Sequence, residues 1–180
     1  YPLRRQRQMC IRDRWRSVRK LSIESQREGY IRNVMEELGE LAEAIKTNNE
    51  HEYIDALCDI VVFAGNCVNK EKFNKAFIPW ETMEESAVET SETALLQAMF
   101  ANASDMTHSP NISIAPLYSL CRDLAAKKGY DFFKCMKEVL KQINSRTGAW
   151  NEDLKKWVKD TSPKAKSKEY QADFDKCKLN

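Results

Sequence analysis

From Ser25 to about Thr47 the apolar residues Ile31, Val34, Met35, Leu38, Leu41, Ala42 and Ile45 recur at helical spacing. A second stretch, from about Glu50 to Asn69, is apolar almost all round beyond Asp59 (Ile60, Val61, Val62, Phe63, Ala64, Cys67, Val68). Only Asn48 and Asn49 separate the two, so the chain has to turn back on itself as an antiparallel helical hairpin. A helix that is apolar on every side must sit at the centre of a core. This pair therefore demands further helices around it. Ser25 with Glu28 three residues later reads as a capping box for the first helix.

The rest of the chain supplies them. Five glycines and five prolines in 180 residues, with 31% charged side chains, favour a mainly helical fold. Ser91 to about Ser104 reads as a helix with Leu95, Leu96, Met99 and Phe100 on one side. His108-Ser109-Pro110-Asn111 reads as a loop, and Pro116 to Lys128 as a helix stopped by Gly129. Asp131 caps a helix through about Ser145. After Gly148, Trp150, Leu154, Trp157 and Val158 alternate with lysines, which predicts a loop or short hairpin; Ser162-Pro163 then opens a polar tail with a last helix to Cys177. Residues 70 to 115 are read as a variable insertion in which Phe73, Phe77, Ile78 and Trp80 cover a core edge. The expectation is one all-α domain over 15–180, a helical bundle with a short irregular or hairpin C-terminal segment. Tyr1–Arg14 is basic and without periodicity. Its string Gln8-Met9-Cys10-Ile11-Arg12-Asp13 resembles a translated sequencing adapter, so the segment is either foreign to the native chain or a disordered basic arm.

A net charge of +2 gives no global pull towards nucleic acid or anionic membrane. No apolar run approaches the roughly 20 residues needed to cross a bilayer, and no secretory leader is visible. The six cysteines contain no CxxC pair. They read as small buried hydrophobes, not as zinc ligands or disulfides, and a cytoplasmic location is expected.

Chemistry enters with the carboxylates. Glu37 and Glu40 lie about 60° apart on the first helix, beside its apolar stripe. Glu52, Asp55 and Asp59 follow i, i+3, i+7 spacing and share one face of the second. Helices packed about 8–10 Å apart bring such groups within reach of one cation. Glu36 has Arg32 and Glu43 has Lys46 one turn away, as in ordinary surface pairs. Glu37, Glu40, Asp55 and Asp59 have no basic neighbour on their own helices. Two like charges 4 Å apart repel by about 4 kcal/mol at an effective dielectric of about 20. The bland reading is a solvated acidic face. The chemical one is a magnesium site, since magnesium takes hard oxygen ligands and keeps waters.

Two strings are familiar. Glu37-Leu38-Gly39-Glu40-Leu41-Ala42-Glu43-Ala44-Ile45 followed by Asp55-Ala56-Leu57-Cys58-Asp59-Ile60-Val61-Val62-Phe63 resembles the MazG-like all-α nucleoside triphosphate pyrophosphohydrolases, whose signature is ExxE on one helix and ExxD on the next. The stretch from Gly129-Tyr130-Asp131 through Ile143-Asn144-Ser145-Arg146 and Lys156-Trp157-Val158-Lys159-Asp160 to Cys177 resembles the phage-type branch. The likeness covers both ends of the chain from about Gln26 and leaves 70 to 115 unmatched. It implies magnesium-dependent hydrolysis of (deoxy)nucleoside triphosphates to monophosphate and pyrophosphate, with manganese as a substitute ion. It also implies a homodimer or homotetramer built from packed helices. By the resemblance Glu37 and Glu40 are metal ligands, and one of them is the base that activates water. The second motif departs from the pattern: ending it at Asp59 puts Ala56 in the glutamate's place, and ending it at Asp55 makes Glu52 the glutamate. Asp55, Asp59 and Glu52 remain candidate ligands in either register.

Arg146, Lys155, Lys156 and Lys159 cluster with Asn144 after the last core helix. They read as a basic helix end by spacing and, with the resemblance, as a clamp on the triphosphate in which Arg146 and Lys159 lead. Asn66, further along the acidic face, is a candidate contact to sugar or base. Trp80, Trp150, Trp157 and Phe63 read first as core or interface, and second as platforms for a base. The competing function is a catalytically inactive helical interaction module that keeps the fold. Single-stranded nucleic-acid binding through the basic tail is disfavoured, because its cations lack an aromatic-interleaved groove pattern.

Overall fold

The computed structural model describes residues 16–17, 19–69, 90–153 and 156–179. The expectations placed on Tyr1–Arg14 and on Phe73, Phe77, Ile78 and Trp80 lie outside the described residues. Helix α1 runs over Ile23–Thr47. Its cap is Ser22, whose hydroxyl accepts from the Ser25 amide at 3.1 Å. Ser25 thus lies inside the first turn, and the capping box expected at Ser25–Glu28 is not the one used. At the other end two asparagines divide the work. Asn48 takes the left-handed conformation (φ 51°) and closes α1. The Asn49 side chain accepts from the Glu52 amide at 3.3 Å and opens α2, Glu50–Asn66. A stop and a start with nothing between them force the antiparallel pair.

α2 is the central helix. Ile54, Leu57, Cys58, Ile60 and Ala64 are wholly inaccessible, and α2 packs on α1, on α4 (Pro110–Lys127) and on α5 (Phe132–Ser145). Each fully buried leucine or isoleucine there stabilises the fold by about 2 kcal/mol. α3 (Glu92–Asp105), capped by Ser91, pairs with α4 as a second hairpin. α4 starts six residues earlier than the sequence indicates, with Pro110 in its first turn and Pro116 in its interior. His108–Ser109 remains outside the helix, but Pro110 and Asn111 do not. A proline interior to a helix costs about 3 kcal/mol; burial of Ile114, Ala115 and Leu117 around it offsets that cost. Asp131 caps α5 as expected, its carboxylate accepting from the Lys134 amide.

Beyond α5 the chain forms the hairpin β1 (Gly148–Asn151) and β2 (Lys156–Lys159), with Gly148 opposite Lys159 and Trp150 opposite Trp157. A Cβ at Gly148 would collide with the Trp157 ring and the Val158 carbonyl, so only glycine fits there. The long last helix expected up to Cys177 does not form. Only a turn of helix α6 (Pro163–Lys166) and a 3-10 turn (Phe174–Cys177) appear. Backbone donors between them are drawn off by α5 instead: the Tyr170 amide bonds Ser145 Oγ at 2.8 Å, and the Ala172 amide bonds Gln142 Oε1 at 2.9 Å. Tyr170 also donates its hydroxyl to Glu138. The described residues are mostly helical with one small hairpin, an all-α fold. No helix of the described residues is long and apolar enough to cross a membrane. Cys58, Cys67, Cys121, Cys135 and Cys177 are buried free thiols, as their apolar settings predict; Cys10 lies outside the described residues.

One division inside α1 was not expected. Its apolar positions form two stripes. Tyr30, Val34, Leu41 and Ala44 are buried at 2–3% exposure, whereas Ile31, Met35 and Ile45 lie open at 42–65%. Glu37 belongs to the buried stripe.

Candidate metal and phosphate site

Glu37 is the anomaly from which the site is built. It stands on α1 between Val34 and Leu41 in the stripe that packs on α2, and is only 8% exposed. Across the helix pair, α2 presents Asp55 and Asp59, one turn apart and both partly buried. Burial pushes the Glu37 carboxyl up to about 8, helped by the charges of Asp59, Glu40, Asp55 and Glu36. Asp59 is raised to about 7 by burial and Asp55, against the lowering effect of Arg146. Asp55 is raised to about 6 by burial and then Glu52, again opposed by Arg146. These acids thus share one electrostatic environment, as the spacing predicts. One Asp59 oxygen, Oδ1, is buried without a hydrogen-bond partner, a costly state for a carboxylate.

Arg146, at the C-terminal cap of α5, places its charge near enough to oppose the raising of Asp55 and Asp59. The nest is therefore not without a basic counterpart; the cation comes from a distant part of the chain and not from a helical neighbour. Among the described residues no three His, Cys, Asp or Glu side chains are set to hold a metal ion. Glu40 and Glu52 are exposed to solvent. Ala56 is 1% exposed and belongs to the core.

The basic cluster is only partly assembled. Arg146 Nε and Lys159 Nζ both bind Glu169, at 2.7 Å and 3.0 Å, and the Glu169 side chain is 9% exposed. Asn144 stands apart, exposed, with its amide on the Leu140 carbonyl. Lys156 pairs through its backbone with Asn151, but its side chain and all of Lys155 lie outside the described residues. Asn66 is buried at the end of α2, its carbonyl accepting from Arg16 at 3.1 Å and its side-chain Oδ1 left without a partner. Trp157 carries the Arg19 guanidinium 4.5 Å above its ring, and Lys20 lies 5.7 Å from Trp150. Phe63 packs against the core. The ordinary reading of these aromatics is the better one.

Sequence reasoning missed Glu169 and Arg19. Arg19 is 6% exposed and donates to the Ile143 and Arg146 carbonyls, fixing the backbone at the end of α5. Neither residue has a local signal: Glu169 lies in a polar tail, and Arg19 precedes the periodic stretch. Replacing Glu169 by alanine leaves Arg146 and Lys159, 30% and 37% exposed, facing each other without their anion. The loss is expected to be about 2 kcal/mol, below the 3–5 of a fully buried pair because water screens both cations. Urea unfolding checks it, and a change under about half a kcal/mol would mean that solvent already screens the cluster. No family model, curated protein or solved structure matches this chain.

Proposed function

We propose that this chain is a magnesium-dependent nucleoside triphosphate pyrophosphohydrolase of the MazG-like all-α type, splitting (deoxy)nucleoside triphosphates into monophosphate and pyrophosphate. The setting that suits it is nucleotide-pool control in the cytoplasm of a bacterium or phage-infected host. The observation that carries this reading is the buried carboxylate set across the α1–α2 pair, Glu37 with Asp55 and Asp59, whose proton affinity is raised by burial and mutual repulsion. The donors are all hard oxygens, and the orphaned Asp59 Oδ1 is a ligand atom in want of a partner. These residues fit magnesium, with Glu37, Asp55 and Asp59 as the inner group and the exposed side chains of Glu40 and Glu52 able to swing in. Manganese has the same preference for oxygen. When bound, such an ion screens phosphate charge and stabilises the leaving pyrophosphate.

The chain's own groups supply the rest. Glu37, with a basicity close to neutral pH, is suited to take a proton from an attacking water; Glu40, on the same helix, is the other candidate. Arg146, whose charge acts on Asp55 and Asp59, shares Glu169 with Lys159, and an incoming polyphosphate can take over the cations that Glu169 now holds. Asn66 is then the candidate for sugar or base contact, and Lys156 and Asn144 for further contacts to the triphosphate.

Pyrophosphate release from a panel of nucleoside triphosphates with magnesium tests the reading, alongside Glu40→Gln. Activity is expected in the parent chain and a large loss in the variant. Equal activity in both would place the chemistry elsewhere. The competing reading is a catalytically inert helical interaction module. It requires a melting temperature that ignores both magnesium and nucleotide.

A further inference from the structure

Two of the buried cysteines touch. Cys135 stands in the first turn of α5, and Cys177 closes the 3-10 turn Phe174–Cys177, which packs on α5. Both are free thiols, at 0% and 1% exposure. The backbone fixes their approach. The Asp131 amide donates to the Cys177 carbonyl at 2.8 Å, and the Cys135 amide donates to the Asp131 carbonyl at 3.0 Å, so one residue ties both cysteines. A bridge between Tyr130 and Lys178 continues the same contact. The two thiols are hydrogen-bonded to each other. The other described cysteines are placed differently. Cys58 and Cys121 are wholly inaccessible within α2 and α4. Cys67 donates to the Phe63 and Gln26 carbonyls, at 3.4 Å and 3.6 Å.

We propose that Cys135 and Cys177 are a reversible redox pair, closed by a disulfide oxidant such as oxidised glutathione into a bond that staples the C-terminal segment to α5. The step is two thiol–disulfide exchanges. The Cys177 sulfur attacks one sulfur of the oxidant; a mixed disulfide forms, and the first glutathione leaves with the proton. Cys135 then attacks the Cys177 sulfur, closing the bond and releasing the second glutathione. Two protein thiols are oxidised and one disulfide is reduced. The hydrogen bond between the thiols orders the two attacks. Burial raises both, but contact with Cys177 raises Cys135 further, whereas the bond from Cys135 pulls Cys177 back down. Cys177 is the easier of the two to ionise, and the thiolate is the attacking species.

Access comes through the turn. It is four residues long, and two backbone bonds hold its end to the loop before α5: Asp131 to the Cys177 carbonyl, and Leu179 to the Gly129 carbonyl, both 2.8 Å. Its buried apolar anchor is Phe174, whose ring stands edge-on to His51. A unit this small opens locally while the helices stay folded. The bond would enclose about 40 residues, a loop long enough for a large entropic effect on the unfolded chain. The pairing needs only the two sulfurs and does not depend on the carboxylate site.

Oxidised glutathione added to the folded full chain, followed by alkylation and peptide mapping, tests the pair. Cys135 and Cys177 are expected to lose alkylation together and to appear in one cross-linked peptide pair, reversed by dithiothreitol. The melting temperature should rise by about 8 °C over the reduced chain. Cys135→Ala is expected to keep glutathione on Cys177 and to show no rise; Cys177→Val should leave Cys135 alkylatable only on unfolding. The Cys177 variant also serves if the Cys135 variant does not fold. Alkylatable Cys135 and Cys177 after oxidation, glutathione retained on Cys177 of the parent chain, or a closed bond with no gain in melting temperature overturns the proposal.

Discussion

Above neutral pH and without magnesium, Asp59→Asn is expected to melt at a higher temperature than the parent chain while losing the response to magnesium. Burial and the neighbouring Asp55 hold the Asp59 carboxyl up at about 7 against an ordinary 3.8, so its ionised form is disfavoured in the folded state. An amide of the same shape removes that charge. It leaves a polar group in the place of the buried oxygen that has no partner, which offsets part of the gain. The remainder, about 1–2 kcal/mol, corresponds to roughly 3–6 °C in a domain of this size. Activity should move the other way. Loss of an outer-shell partner costs a metal site about 10–100-fold, and loss of a direct ligand should exceed that. Lys164→Gln, exposed on the short α6, is the control that should change neither quantity. If Asp59→Asn is less stable than the parent and equally active, Asp59 is a structural acid and the site is wrongly placed.

The second large effect is in pH. Glu37, Asp59 and Asp55 all have folded-state values raised above the ordinary 4.5, 3.8 and 3.8, to about 8, 7 and 6. Acids of this kind bind more protons folded than unfolded. Their contribution to stability is complete below about pH 4 and is lost as pH rises through the window from 6 to 8. Glu37 alone is worth on the order of 5 kcal/mol across its shift, and the three are coupled, so their separate contributions do not add. Glu138 and Glu169 act in the opposite sense. Their hydrogen bonds to Lys141 and Tyr170, and to Lys159 and Arg146, hold them below the usual value although burial opposes it. Their contribution is therefore lost on the acid side of about 4. Urea unfolding in the presence of a chelator should show a stability maximum in mildly acidic solution and a decline towards pH 8. Saturating magnesium should remove the alkaline decline, because the ionised carboxylates are the ones that bind it. A curve that stays flat from 5 to 8 in the chelator would mean that water reaches these groups and no strained nest exists.

Local chemistry made much of the fold legible. Asn48–Asn49, Ser91 and Asp131 are short polar residues that satisfy helix-end donors or adopt left-handed backbone, and each marks a boundary where the structure has one. The central position of α2 was equally readable, since a helix apolar on all sides has no solvent face. The failures have one cause. The start of α4 at Pro110, the dissolved last helix and the second stripe of α1 each depend on what packs alongside, and local signals do not encode that. Tyr170 and Ala172 would suit a helix, but Ser145 and Gln142 of α5 compete for their amides and win.

The sequence by itself determined that two helices carrying these acids lie antiparallel and touching, because hydrophobic period and capping residues act within a few positions of themselves. It set the donor type too, since the carboxylates of Glu37, Asp55 and Asp59 offer only oxygen. Tertiary structure alone decided that Glu37 is the buried member and Glu40 the exposed one, because burial depends on the depth of the neighbouring helix. It also decided that the Arg146 charge acts on Asp59 while its guanidinium binds Glu169. Charges interact through space over distances that sequence separation does not report, and only the folded chain sets those distances.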